Sequence, residues 1–95
     1  MRIIGRDILD EFKQRHPPAR KALDAWVALV AGNEFEQFPE LKRFFHAADY
    51  VEPMTVFDVG GNKYRLIARV DYGLKTVVVK DVLTHADYNR DRWKR

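Results

Sequence analysis

Along the first half of the chain apolar residues recur every three or four positions, and from Met54 onward they alternate with polar ones. The first period is helical. Ile8, Leu9 and Phe12 share one face of a helix that follows a short apolar start at Ile3 and Ile4. The run HPPAR ends that helix and opens another, because proline lacks the amide hydrogen that a helix interior needs yet fits a first turn. Ala19, Ala22, Leu23, Trp26, Leu29 and Val30 then form one stripe, and Gly32 stands where a left-handed cap is expected. FEQFPELKRFF adds a short third helix with Pro39 in its first turn and Leu41, Phe44 and Phe45 facing inward. Helical spacing marks Trp26 and the phenylalanines as core rather than as base-stacking platforms. His16 and His46, at helix borders, are assigned no chemistry.

The second half reads as a three-stranded meander. TVFDVGGNKYRLIARVDYGLKTVVVKDVL contains three alternating runs joined by two tight turns, one at Gly60-Gly61 or Gly61-Asn62 and one at Gly73-Leu74. A two-residue type II′ turn at Gly73-Leu74 pairs Ile67 with Lys80, Arg65 with Val82 and Arg69 with Val78, which fixes the two faces. Tyr64, Leu66, Ala68, Val70, Val77, Val79 and Leu83, with Phe57 and Val59, should cover the helices. Asp58, Lys63, Arg65, Ile67, Arg69, Val78, Lys80 and Val82 should face the other way. Asp81 falls awkwardly on the core side.

That pairing puts Lys80 diagonally beside both Arg65 and Arg69, roughly 7–8 Å away by backbone. Three cations on one patch repel one another and add nothing to folding unless an anion, or the nearby Asp58, sits among them. An ordinary solvated sheet face, with the Arg and Lys stems lying on apolar neighbours, explains the same residues without a ligand. The end of the last strand shifts the balance. Thr84 is a good N-cap with Asp87 three residues on, so a short helix should begin there and present His85 and Tyr88 near Arg65.

Composition narrows the class. The chain has 95 residues, enough for one domain spanning 1–95, no cysteine, and no apolar run near the roughly 20 residues a membrane span needs. A soluble cytoplasmic protein without membrane contact is expected. The net charge of +3 is uneven: residues 1–53 carry eight Lys/Arg against nine Asp/Glu, and residues 54–95 carry nine against five. A cationic half points weakly to a polyanion. Arg65 and Lys80 can grip a phosphate, an imidazole such as that of His85 exchanges protons near neutral pH, and Tyr88 can donate a hydrogen bond or stack. No metal-ligand cluster and no cofactor motif stand in the sequence. This set suits RNA cleavage, where the 2′-hydroxyl of the substrate is the nucleophile and the protein supplies proton transfer and charge stabilisation.

The stretches FDVGGNKYRLIARVDY and VVVKDVLTHADY resemble the signature region of HigB-type toxins, RelE-superfamily mRNA interferases of type II toxin–antitoxin modules, and the resemblance extends to ELKRFF. It implies an α+β RelE-like fold, with N-terminal helices packed on one face of an antiparallel sheet and a short C-terminal helix. It further implies metal-independent cleavage of mRNA on the translating ribosome, neutralisation by a HigA-type helix-turn-helix antitoxin, and contact with DNA only through that complex. Carried onto this sequence, the resemblance makes Arg65 and Lys80 the phosphate-binding and transition-state residues. His85 becomes the proton-transfer group, Tyr88 a stacking or orienting residue, and Asn62, Lys63 and Arg69 the RNA-binding border. Two other readings stand beside it: a non-catalytic RNA- or ribosome-binding module using the same face, and an interaction domain docking an acidic protein. In the tail NRDRWKR, Trp93 has three open roles: contact with rRNA, packing on the antitoxin, or fraying.

Overall fold

A computed structural model describes residues 1–90; Asp91 to Arg95, and with them the roles considered for Trp93, lie outside the described residues. The element order is β1 (Arg2–Ile4), α1 (Arg6–Arg15), a 3₁₀ turn (Pro17–Ala19), α2 (Arg20–Ala31), α3 (Phe38–Phe44), β2 (Asp49–Val51), β3 (Met54–Val59), β4 (Tyr64–Asp71), β5 (Thr76–Thr84) and α4 (His85–Asn89). The strands form one sheet in the order β1-β5-β4-β3-β2. The α+β class is therefore as expected, with one difference. β1 runs parallel to β5, through Ile3 opposite Val77 and Ile4 opposite Val78, so the sheet is mixed rather than purely antiparallel. β2 adds a short edge hairpin with β3. No helix among the described residues is long and apolar enough to cross a membrane.

The helices behave largely as their stripes dictate. α1 ends at His16, whose amide bonds to the Phe12 carbonyl, because Pro17 has no hydrogen to continue the ladder. Leu9, Phe12, Leu23, Trp26, Val30, Phe35 and Leu41 are buried against Phe57, Val59, Leu66, Ala68, Val77 and Val79. Phe57 sits at the centre, fully buried, with Trp26 and Phe45 meeting its ring edge to face at 5.3 and 5.0 Å. Lys13 bridges Asp10 and Asp24 and so ties α1 to α2. Three local expectations fail. Gly32 keeps a right-handed conformation, and Leu29 and Phe44 are 40% and 50% exposed because α2 and α3 each bury only a narrow seam.

The hairpins hold their register by different means. In the first, Val59 faces Tyr64, and the centre of the turn is Gly61-Asn62, both at positive φ (60° and 76°), the geometry that a hairpin with right-handed twist requires. In the second, Asp71 faces Thr76 across a longer loop; Gly73 is not left-handed and Lys75 is (φ 54°), while the Asp71 carboxylate accepts the Leu74 amide. The type II′ expectation is thus corrected. The pairing of Arg69 with Val78 survives because both loops close on the same register.

Beyond that pair the register slips. A bulge lies between Ala68 opposite Val79 and Ile67 opposite Asp81, so Lys80 is the extra residue and everything after it moves by one. Val82 therefore joins the core at 3% exposure, and Leu83, not Val82, faces Arg65. The awkward position of Asp81 disappears with the same shift, since it now stands opposite Ile67. Gly5 lets β5 pass close to the start of α1: it sits at φ 93°, and a Cβ there would lie 2.8 Å from the Val79 carbonyl.

Candidate active site

Arg65 anchors the site from the first half of β4. Its pairing with Asp58 across β3 and β4 brings a guanidinium nitrogen 3.3 Å from the aspartate, with both side chains mostly shielded from solvent. The same nitrogen reaches the Tyr64 carbonyl at 3.3 Å, and the other terminal nitrogen donates to Asn62 Oδ1 at 2.5 Å. Arg65 Cζ also lies 5.4 Å from the centre of the Tyr88 ring, a cation–π contact. Guanidinium carries five N–H donors in a rigid plane, and these contacts engage three of them. Among the described residues no hydrogen bond uses the other two.

The hairpin turn and the C-terminal helix are locked to each other. The Lys63 carbonyl accepts the His85 amide at 3.0 Å, and Thr84 Oγ1 accepts the Asp87 amide at 3.2 Å, the N-cap read from the sequence. α4 consequently starts beside the turn, which brings Tyr88 under Arg65. The His85 ring is exposed and its Nε2 lies 3.2 Å from the Asn89 side-chain amide nitrogen.

Asn62, Lys63, Arg65, His85 and Tyr88 are thus drawn together, with Asp58 as the counter-charge. The other two cations are spread along the face. Leu83 rather than Val82 faces Arg65, so Lys80 stands three positions instead of two from that point, and Lys80 is exposed with no ion pair among the described residues. Arg69 is four residues from Arg65 along β4, about 13 Å at the usual strand rise. The bulge thus moves Lys80 one position further from Arg65, while its offset of two positions from Val78, the partner of Arg69, is kept. One face of the Tyr88 ring is occupied by Arg65, a position that suits an orienting role.

The sequence reading overlooked Asn89, which no motif marks, and it undervalued Asp58, whose cross-strand position opposite Arg65 was the available signal. No group of three or more His, Asp or Glu placed to share a metal ion occurs among the described residues. Asp81, beside Lys80, is shifted in its titration. Burial, only partly offset by the Val82 amide and by Arg15, holds its carboxyl above the ordinary aspartate range. The folded protein therefore binds this proton more tightly than the unfolded chain does, so stability falls as pH rises from about 3.9 through the raised value. Asp81→Asn, which keeps an oxygen for the Val82 amide, is expected to unfold at higher urea than the parent at pH 7 and to lose that advantage near pH 3. Equal midpoints at pH 7 would remove this account of Asp81.

Residues 19–91 match the HigB toxin family, described as the RelE-like toxic component of a toxin–antitoxin system. Over 92 residues the chain is 28% identical to the mRNA interferase toxin HigB of Escherichia coli strain K12, covering 94% of this chain and 88% of that one. The same identity and coverage relate it to the mRNA interferase HigB of Shigella flexneri. The mRNA interferase HigB of Escherichia coli O6:H1 is 29% identical over 93 residues, covering 95% and 90% of the two chains. The matched span takes in every element from α2 to α4, and with it Arg65 and the groups fixed around it: the chain belongs to the HigB toxins, RelE-like toxic components of toxin–antitoxin systems.

Proposed function

We propose that the chain is an endoribonuclease that cuts mRNA on the translating ribosome, and that a HigA-type antitoxin holds it in check in the cytoplasm. The observation that carries this reading is the clamped Arg65, held by Asp58, Asn62 and Tyr88. A preorganised guanidinium of this kind stabilises the extra charge of a phosphorane-like transition state without reorganising. The names borne by the relatives, mRNA interferases, agree with it.

In this mechanism the substrate's own 2′-oxygen attacks the adjacent phosphorus, forming the O2′–P bond as the P–O5′ bond breaks. His85 Nε2, which lies 3.2 Å from the Asn89 amide, exchanges that contact for the substrate and takes the 2′-hydroxyl proton. Lys80 neutralises the non-bridging oxygens, and its ammonium or a water returns a proton to the leaving 5′-oxygen. Asn62 and Lys63 border the strand, and Tyr88 keeps Arg65 in plane. The products are a 2′,3′-cyclic phosphate and a 5′-hydroxyl. Purified protein, translating ribosomes and a message with a single 2′-deoxy nucleotide at the cut position test this. The deoxy message should resist cleavage at that position, and equal cleavage of both messages would exclude attack by the 2′-oxygen.

A second reading, an RNA-binding module that does not cut, draws on the ion pair between Arg65 and Asp58, which uses part of the charge a phosphate needs. Intact message after long incubation, together with salt-sensitive binding, would favour it.

A further inference from the structure

Past Ala68 no residue of β3 pairs with β4, so the sheet opens at the far end of β4 and both of its faces reach one groove. The groove, about 330 Å³ in volume, is lined by Phe38, Tyr50, Pro53, Arg69, Val70 and Tyr72. We infer that this groove is a nucleobase-stacking subsite, taking one base of the RNA strand beyond the cleaved bond while Arg69 holds a neighbouring phosphate. The inference rests on the cleavage reading above.

Three observations carry it. Tyr50 is 55% exposed, and Phe38 approaches it at 6.1 Å and 50°, a tilt that leaves the Tyr50 ring without a flat partner among the described residues. Arg69 is exposed at the same groove and makes no ion pair among the described residues. A cation beside an open aromatic ring is the arrangement that holds single-stranded nucleic acid, because every base offers a π-face and every step a phosphate. Position is the third. Arg69 lies on the strand that carries Arg65, about 13 Å away, a span of roughly four nucleotides at the 3.4 Å rise of a stacked strand and fewer if the strand is extended. The displacement of Arg69 from the Arg65 cluster, unexplained by the catalytic site alone, becomes the length of the bound strand.

The test uses full-length protein and 2′-O-methyl hexanucleotides, which cannot be cut, with one base at a time removed and the backbone kept. Fluorescence anisotropy should find one position, two to four nucleotides from the cleaved linkage, where losing the base weakens binding about 5- to 150-fold. Tyr50→Ala should bind the intact RNA more weakly by a similar factor and be indifferent to that base, whereas Tyr50→Phe should keep most of the affinity. Wild-type protein indifferent to base removal at every position, or Tyr50→Ala as sensitive as wild type, overturns the subsite and leaves the cleavage reading standing. Failure to bind any of the RNAs also overturns the subsite, and leaves cleavage on the ribosome to the test with the 2′-deoxy message. Unchanged RNA affinity in Tyr50→Ala with weakened hold on purified antitoxin makes the groove a protein-docking surface and overturns the inference.

Discussion

Arg65→Lys is expected to cut message about 100- to 1,000-fold more slowly than the parent while remaining folded, the range seen when one preorganised donor to a developing negative charge is lost. Lysine keeps the charge but not the fork. The guanidinium meets Asp58 and Tyr64 through one nitrogen and Asn62 through the other, which fixes its plane over Tyr88. An ammonium on a flexible stem cannot satisfy these partners and still present two fixed donors. Truncation to alanine confuses this test, since it leaves Asp58 partly buried without its partner at a cost of roughly 1–3 kcal/mol. The double variant Arg65→Ala with Asp58→Asn separates the effects: urea unfolding should recover toward the parent while cleavage stays lost. If Arg65→Lys cuts at the parental rate, the clamp is structural and the site lies elsewhere.

Phe57→Ala is expected to remove about 3–5 kcal/mol of stability. That is a large share of the roughly 5–15 kcal/mol that holds a domain of ordinary stability together. Phe57 is fully buried, and its ring is met edge-on by Trp26 from α2 and by Phe45 after α3, so truncation opens a cavity bounded by three separate elements that cannot all relax into it. The consequence reaches the site directly, because Asp58 is the next residue. This variant should lose toxicity because little of it is folded, with a lowered urea midpoint, whereas Arg65→Lys loses it with the midpoint kept. An unfolding free energy within about 1 kcal/mol of the parent would show that the core does not depend on this ring in the way its packing implies.

The sequence made most of the scaffold legible because its strongest signals are local. The stripe through Leu23, Trp26 and Val30, the break at Pro17, the alternation from Met54 and the cap at Thr84 each depend on a few neighbouring residues, and each is realised. What escaped is non-local. β1 is three residues long and pairs in parallel with a strand more than seventy positions away, which no short-range pattern announces. The bulge did leave a trace. Core valines at 77 and 79 are followed by Val82, a spacing of three where two was due, and Asp81 on the core side was its symptom. Reading that break would have moved Leu83 opposite Arg65 and set Lys80 further off. Within the candidate site the expected approach of Tyr88 to Arg65 is seen and Asn62 joins it, while Arg69 lines a groove further along β4.

The most direct test of the central claim is to map the 5′ ends of cellular message after expressing the chain without a partner, beside Arg65→Lys expressed to the same level. The account predicts reproducible new ends within reading frames, dependent on translation, present with the parent and absent with the variant. The same new ends with both proteins, or none with the parent, would contradict it.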